Sequence, residues 1–181
     1  MIHDRGGRRI VWGAAALLAA AAVMAQDTGT QATASAPAAA PGKIQHAAIG
    51  AEAKAASTHK GLAGEGQASA LVDGDLKTRW SSEYAEPQEV ILKLRAPVRI
   101  KTLRLHWESA SAARYCVSVS TNGNDWSSVH LYLKDKGKAE PRVDEVTLNA
   151  VPAQWIKLDL ISRINKQWGF SLYEVEVRAA E

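Results

Sequence analysis

Ile100-Lys101-Thr102-Leu103-Arg104-Leu105-His106-Trp107 alternates apolar with polar side chains. A half-buried β-strand requires this pattern, because successive side chains point to opposite faces of a sheet. Working outward, Val90–Leu94, Tyr115–Val119, Ser128–Leu133, Val143–Leu148, Trp155–Ile161 and Leu172–Val177 repeat the signal. Pro97, Pro141 and Pro152 fall between these runs, where a missing N–H is tolerated. Asn122-Gly123 follows Tyr115–Val119 and suits a tight hairpin turn, since both residues enter the positive-φ region readily. Beyond the first 25 residues no amphipathic helical period is visible. Many short strands with frequent turn signals predict an all-β sandwich or jelly roll over residues 44–181.

The 181 residues suffice for one such domain and a tail, and 46% hydrophobic residues allow a real core. Three arginines (Arg5, Arg8 and Arg9) precede an apolar run from Ile10 to Ala25. This pattern predicts a secretory signal peptide over 1–25, cleaved near Ala25, and a secreted or periplasmic protein. The alternative is a retained membrane anchor, for which the run falls short of the roughly 20 residues a span requires. Without that segment 19 basic and 18 acidic residues remain, a balance that argues against nucleic acid as a partner. Residues 26–43 are mostly Ala, Pro, Ser, Thr, Gln and Gly with almost no large apolar side chain. They predict a disordered linker.

Cys116 is the only cysteine, so the fold holds without an internal disulfide. Its place in a strand pattern predicts a buried, inert thiol. Trp155 lies in a strand pattern and Trp126 in a hairpin return, which predicts core positions for both. Trp168, beside Gly169 in a loop, is the candidate for exposure.

Asp73-Gly74-Asp75 with Thr78 forms a tight acidic bend. Calcium takes six to eight oxygens, carbonyls included, and such a bend can aim several at one point. A distant carboxylate such as Glu174 could complete the shell. A surface turn whose Asp side chains bond their own backbone explains the same residues.

Several pieces occur in the order of a known family. They are Ala48-Ile-Gly50, Ala55-Ala-Ser57, Ala70-Leu-Val-Asp-Gly-Asp-Leu-Lys-Thr-Arg-Trp80 and Val117-Ser-Val-Ser-Thr-Asn-Gly-Asn-Asp-Trp126. Trp155-Ile-Lys-Leu-Asp159 and Trp168-Gly-Phe-Ser-Leu-Tyr-Glu-Val-Glu-Val177 follow. The segment resembles a discoidin domain, the coagulation factor 5/8 type C family, and is similar to family 32 carbohydrate-binding modules. The resemblance implies a galactose-binding-like jelly-roll β-sandwich with a structural calcium ion. The implied ligands are the carbonyls of Ala70, Asp75, Thr78 and Tyr173, the carboxylates of Asp73 and Glu174, and the Thr78 hydroxyl. Trp80 would pack in the core behind them.

The resemblance places the ligand site in loops at one end of the sandwich: His59–Gln67, Ser81–Gln88, Trp107–Arg114 and Ser162–Phe170. The candidate contacts there are Tyr84, Glu108, Arg163, Asn165 and Trp168. Several sugar-binding members carry a His after the Trp of the Asp-Gly-Asp segment, whereas Trp80 is followed by Ser81-Ser82. The leading expectation is a secreted, non-catalytic module that binds a glycan or polysaccharide. The alternative is an adhesion module for a cell-surface protein or a membrane surface. Leu62 and Trp168 are thin equipment for membrane insertion. No Gly-x-Ser-x-Gly elbow and no paired-histidine metal spacing points to an enzyme.

Overall fold

The computed structural model describes residues 44–61, 66–134 and 137–180. The expected signal peptide and linker lie outside these residues, as does Leu62. Among the described residues the strands are β1 (Glu52–Ala55), β2 (Trp80–Ser81), β3 (Gln88–Trp107), β4 (Ala112–Ser120), β5 (Ser127–Leu133), β6 (Arg142–Arg163) and β7 (Ser171–Ala179). One short 3-10 turn, Ala68–Val72, precedes the acidic bend.

The pairing is antiparallel, and two long strands carry it through both layers of a sandwich. Gln88–Lys93 of β3 pairs with Trp155–Leu160 of β6, and Val98–Trp107 of β3 pairs with Arg142–Ala153 of β6. The register breaks between Lys93 and Val98. Pro97 lies in that break, and Pro152 pairs opposite Arg99 just beyond it. The prolines therefore mark corners inside continuous strands rather than gaps between separate ones, the edge-and-bulge position a residue without N–H accepts. One layer runs β1-β3-β6-β4-β5, and the other continues the same β6-β3 ribbon into β7 and β2. Val90, Leu92, Val117, Ile156 and Leu158 from the first layer meet Leu103, Leu105, Leu172, Val175 and Val177 from the second in one buried core.

Strand parity decides what faces out. Ile156, Leu158 and Leu160 point inward, so Trp155 and Lys157 point outward. Trp155 and Trp126 are only half-buried, and both are corrected: alternation turns Trp155 outward, and Trp126 lies in the loop just before β5. Lys93 lies 5.0 Å over the Trp155 ring and Lys157 lies 5.2 Å over that of Trp126, so each indole is covered by a cation. Cys116 is corrected for the same reason as Trp155. It sits between the inward Tyr115 and Val117, half-buried on the outer face, with its sulfur 3.0 Å from Ser128 Oγ. The predicted tight hairpin is a longer loop, Thr121–Trp126. In it Ser120 Oγ accepts the N–H groups of Asn122 and Gly123, and Gly123 has φ of 79° against the Trp155 ring.

One buried carboxylate organises the β4–β6 side of the core. Asp144 Oδ2 accepts Trp107 Nε1–H and Tyr115 O–H, both at 2.8 Å, while Arg142 Nε donates to Oδ1 at 2.9 Å. The Arg142 guanidinium also covers the rings of Trp107 and Tyr132. Beside this group the His130 ring lies 5.9 Å from that of Tyr115. Its Nε2 is buried and has no hydrogen-bond partner among the described residues.

Burial holds the His130 pKa below its ordinary value, although the Asp144 charge works the other way. A histidine kept neutral in the fold but free to protonate when unfolded contributes stability above the unfolded pKa. That contribution is lost as pH falls through the folded one. The melting temperature is therefore expected to drop between about pH 7 and pH 5, and His130→Leu to flatten that slope. Equal slopes in the two proteins would assign the acid sensitivity elsewhere.

Candidate functional site

The site begins with a buried anchor. Trp80 is fully buried; its Nε1–H donates to the Ser57 carbonyl at 3.0 Å, and its own carbonyl accepts from Ser171 Oγ at 3.0 Å. The chain leaving it, Ser81 to Tyr84, is zipped to the segment before β7. Ser82 N–H donates to the Phe170 carbonyl at 2.8 Å, and Phe170 N–H donates to Ser82 Oγ at 2.8 Å. The two segments approach so closely that a Cβ on Gly169 would lie 2.4 Å from the Ser82 carbonyl oxygen. Only glycine fits there. This seam sets Tyr84 and Trp168 on one rim, 60% and 40% exposed, above the buried Phe170. The His59 ring stacks on Tyr84 with centroids 5.2 Å apart.

Between them lies a cleft of about 330 Å³, to which all four expected loops contribute. Tyr84, Glu108 and Trp168 line it as the sequence led us to expect; His59 and Arg79 line it without having been singled out. Glu108 Oε2 accepts the Ala110 N–H at 2.8 Å, which fixes the carboxylate. Its other oxygen stands 4.0 Å from Arg79 Nη1. The cleft thus offers aromatic faces at its rim and one carboxylate beside one guanidinium deeper in. That arrangement can stack on an apolar ring face while exchanging hydrogen bonds with hydroxyls around it.

Arg163 and Asn165, expected as contacts, are instead parts of the loop that carries Trp168. Arg163 Nη1 donates to the Trp168 carbonyl at 2.8 Å. Asn165 Oδ1 accepts the Gln167 N–H at 2.9 Å, and its carbonyl accepts the Trp168 N–H at 3.3 Å. Arg163 also stands beside Glu86, and neither Arg163 nor Asn165 lines the cleft.

The acidic bend joins the last strand directly. Gly74 N–H donates to Glu174 Oε2 at 2.9 Å, which brings the ends of the fold together. Gly74 has φ of 71°, and a Cβ there would lie 2.6 Å from the Ile44 carbonyl oxygen. Thr78 Oγ1 donates to Asp73 Oδ2 at 2.7 Å and lies 2.9 Å from the Asp75 carbonyl oxygen, so three of the implied ligand oxygens already converge. Tyr173 is the residue skipped in the β3–β7 register between Leu172 and Glu174. Burial raises the Glu174 pKa and the neighbouring Asp73 charge adds to this, while a hydrogen bond from His46 opposes both. His46 Nδ1 accepts the N–H groups of Ala48 and Val177, which places the proton on Nε2, 3.2 Å from Glu174 Oε1. No cluster of three His, Cys, Asp or Glu side chains suited to a metal occurs among the described residues. The donor set is carbonyls, one hydroxyl and two carboxylates. Those are hard oxygens, and they fit calcium rather than a nitrogen- or sulfur-seeking metal.

A family model for the F5/8 type C domain matches residues 52–175. The chain belongs to this family. No curated protein sequence matches it. Among solved structures, this F5/8 type C domain is similar to chitosan-binding module 2 of a chitosanase/glucanase from Paenibacillus sp. IK-5, solved in complex with chitotriose. Identity is 27%, coverage 74% of this chain and 100% of that one, and TM-score 0.65. Module 1 of the same enzyme gives 27% identity, 75% and 100% coverage, and TM-score 0.65. CpGH89CBM32-5 from Clostridium perfringens, in complex with GalNAc-β-1,3-galactose, shares the fold at 24% identity. There the coverage is 71% and 95% and the TM-score 0.61. The F5/8 type C domain here therefore has the galactose-binding-like jelly-roll fold of carbohydrate-binding modules.

Proposed function

We propose that this chain is an exported, non-catalytic module that holds a glycan in the cleft between Tyr84 and Trp168. The carrying observation is the aromatic rim set above the Glu108–Arg79 pair, in a domain similar to one solved with chitotriose. Tyr84 and Trp168 stack on the ring faces, Arg79 donates to hydroxyls and Glu108 accepts from them. A binding role without catalysis is supported by the lining: Glu108 is the only carboxylate among the described residues of the cleft wall, and glycoside hydrolysis ordinarily uses two. Calorimetric titration with a panel holding chitotriose, N-acetylated chitooligosaccharides and galactose-terminated disaccharides tests the reading. Saturable binding to at least one is expected. Silence across the panel, with the fold intact, would remove it.

Calcium belongs to the same proposal as a structural ion. Asp73, Glu174 and Thr78 would hold it with the carbonyls of Ala70, Asp75 and Tyr173, and it would supply charge that crosslinks the acidic bend to β7. An ion at about 100-fold over its dissociation constant adds roughly 2.7 kcal/mol to folding. Chelation is therefore expected to lower the melting temperature by about 5–10 °C, and Asp73→Asn to abolish the difference. A melting curve indifferent to chelator would remove the ion and leave the cleft assignment standing.

A further inference from the structure

Glu86 lies outside the cleft wall, yet it gathers the loop that carries Trp168. Its Oε1 accepts the Arg163 backbone N–H and stands 3.3 Å from Arg163 Nε. Lys166 Nζ reaches both carboxylate oxygens, at 2.7 and 2.6 Å. Arg163 in turn donates through Nη1 to the carbonyl of Trp168 itself at 2.8 Å. One carboxylate thus fastens two points of a loop, and one of its partners, Arg163, holds the backbone of the exposed indole.

We propose that Glu86 is a positioning residue for the Trp168 platform, fixing the loop through Arg163 and Lys166 without touching the ligand. This rests on the reading of the cleft as the glycan site. An isolated surface ion pair contributes little, because entropy and screening oppose it. Here the Arg163 N–H and the Lys166 ammonium share a single acceptor group with the Arg163 guanidinium paired beside it, and the Arg163 side chain is only 11% exposed. Burial opposes the charge on Glu86, but the Lys166 and Arg163 bonds outweigh it and keep the carboxyl below its usual range. The loop's own bonds, Gln167 N–H to Asn165 Oδ1 and Trp168 N–H to the Asn165 carbonyl, shape it locally but do not tie it to the sandwich. That attachment falls to Glu86, to the Ile164 N–H bond with the Ser111 carbonyl at 3.0 Å and to the Gly169–Ser82 seam.

The test reads the indole directly. The full chain is labelled with 5-fluorotryptophan and the Trp168 resonance identified with Trp168→Phe. In Glu86→Ala the Trp168 resonance is expected to move toward that of free fluorotryptophan, while those of the buried Trp80 and Trp107 stay in place. Affinity for chitotriose, or for the panel sugar bound best, should fall by about fivefold. Raising salt from about 0.02 M to 0.5 M, which shortens the screening length severalfold, should move the Trp168 resonance in the native chain and not in Glu86→Ala. A merely steric role would not produce that difference. A Trp168 resonance unchanged in Glu86→Ala overturns the proposal, whatever the affinity does. If no panel sugar binds the native chain, the glycan reading falls while the resonance still decides the positioning role. Should Trp80 and Trp107 show that Glu86→Ala unfolds, Glu86→Gln, which keeps the shape and an acceptor but not the charge, is judged by the same shift.

Discussion

Trp168→Ala is expected to weaken glycan binding by roughly 30-fold and to leave the melting temperature within about 2 °C of the native value. Two observations set these magnitudes apart. The indole is 40% exposed at the rim of the cleft, so its removal opens no void in the core. With Tyr84 it is one of the two exposed large aromatic faces among the described residues of the cleft, and a ring that stacks on a ligand carries a disproportionate share of binding energy. Trp155→Ala supplies the control. Trp155 has Gly123 against one side of its ring and the Lys93 ammonium over it, on the outer face of the sheet. Its loss should leave affinity unchanged. Native-like affinity in Trp168→Ala would place the ligand elsewhere on the domain.

Asp144→Ala is expected to produce the largest loss of stability, about 3–5 kcal/mol, or roughly 10–15 °C in melting temperature. The substitution strands three donors at once: Trp107 Nε1–H, Tyr115 O–H and the Arg142 guanidinium. Burial, reinforced by the Asp144 charge, pushes the Tyr115 pKa far above its ordinary value, so the hydroxyl remains a donor at every pH at which the protein is studied. Asp144→Asn keeps an acceptor and loses the charge, and should recover about half of the deficit. Chemical denaturation of the three proteins measures this. A loss below about 1 kcal/mol in Asp144→Ala would mean that water replaces the carboxylate.

Alternation made the strands legible, since Tyr115, Val117 and Val119 of β4 and Ile156, Leu158 and Leu160 of β6 follow it. The continuity of β3 and β6 was not legible. Pro97 and Pro152 read as breaks in one dimension, and only the pairing of the two strands shows them as corners of one ribbon. Trp155 was misplaced because the apolar character of indole was weighed above parity; Ile156 and Leu158 on either side of Lys157 fix it as outward, and Trp126 was misplaced because it belongs to the loop before β5. Tyr84, Glu108 and Trp168 line one cleft because loops at one end of the sandwich meet there. Arg79 was overlooked because it sits next to the buried Trp80 in a segment read for its acidic bend. His59 was overlooked because its stacking on Tyr84 is a tertiary fact. Arg163 and Asn165 carry the right chemistry for a sugar contact, but their partners, Glu86 and the loop backbone, are invisible until the chain is folded.

The polypeptide enters and leaves the sandwich side by side, with Ala47 N–H donating to the Val177 carbonyl at 2.8 Å. Ser171, in the wall of the cleft, opens the same strand that Val177 nearly closes. At about 3.3 Å per residue the two lie roughly 20 Å apart. Attachments at either end of the domain therefore share one pole, and the mouth of the cleft occupies the opposite one. Such a body can be grafted into a host loop as a cassette, or anchored to a bead by one tail, with its working end still turned toward solution.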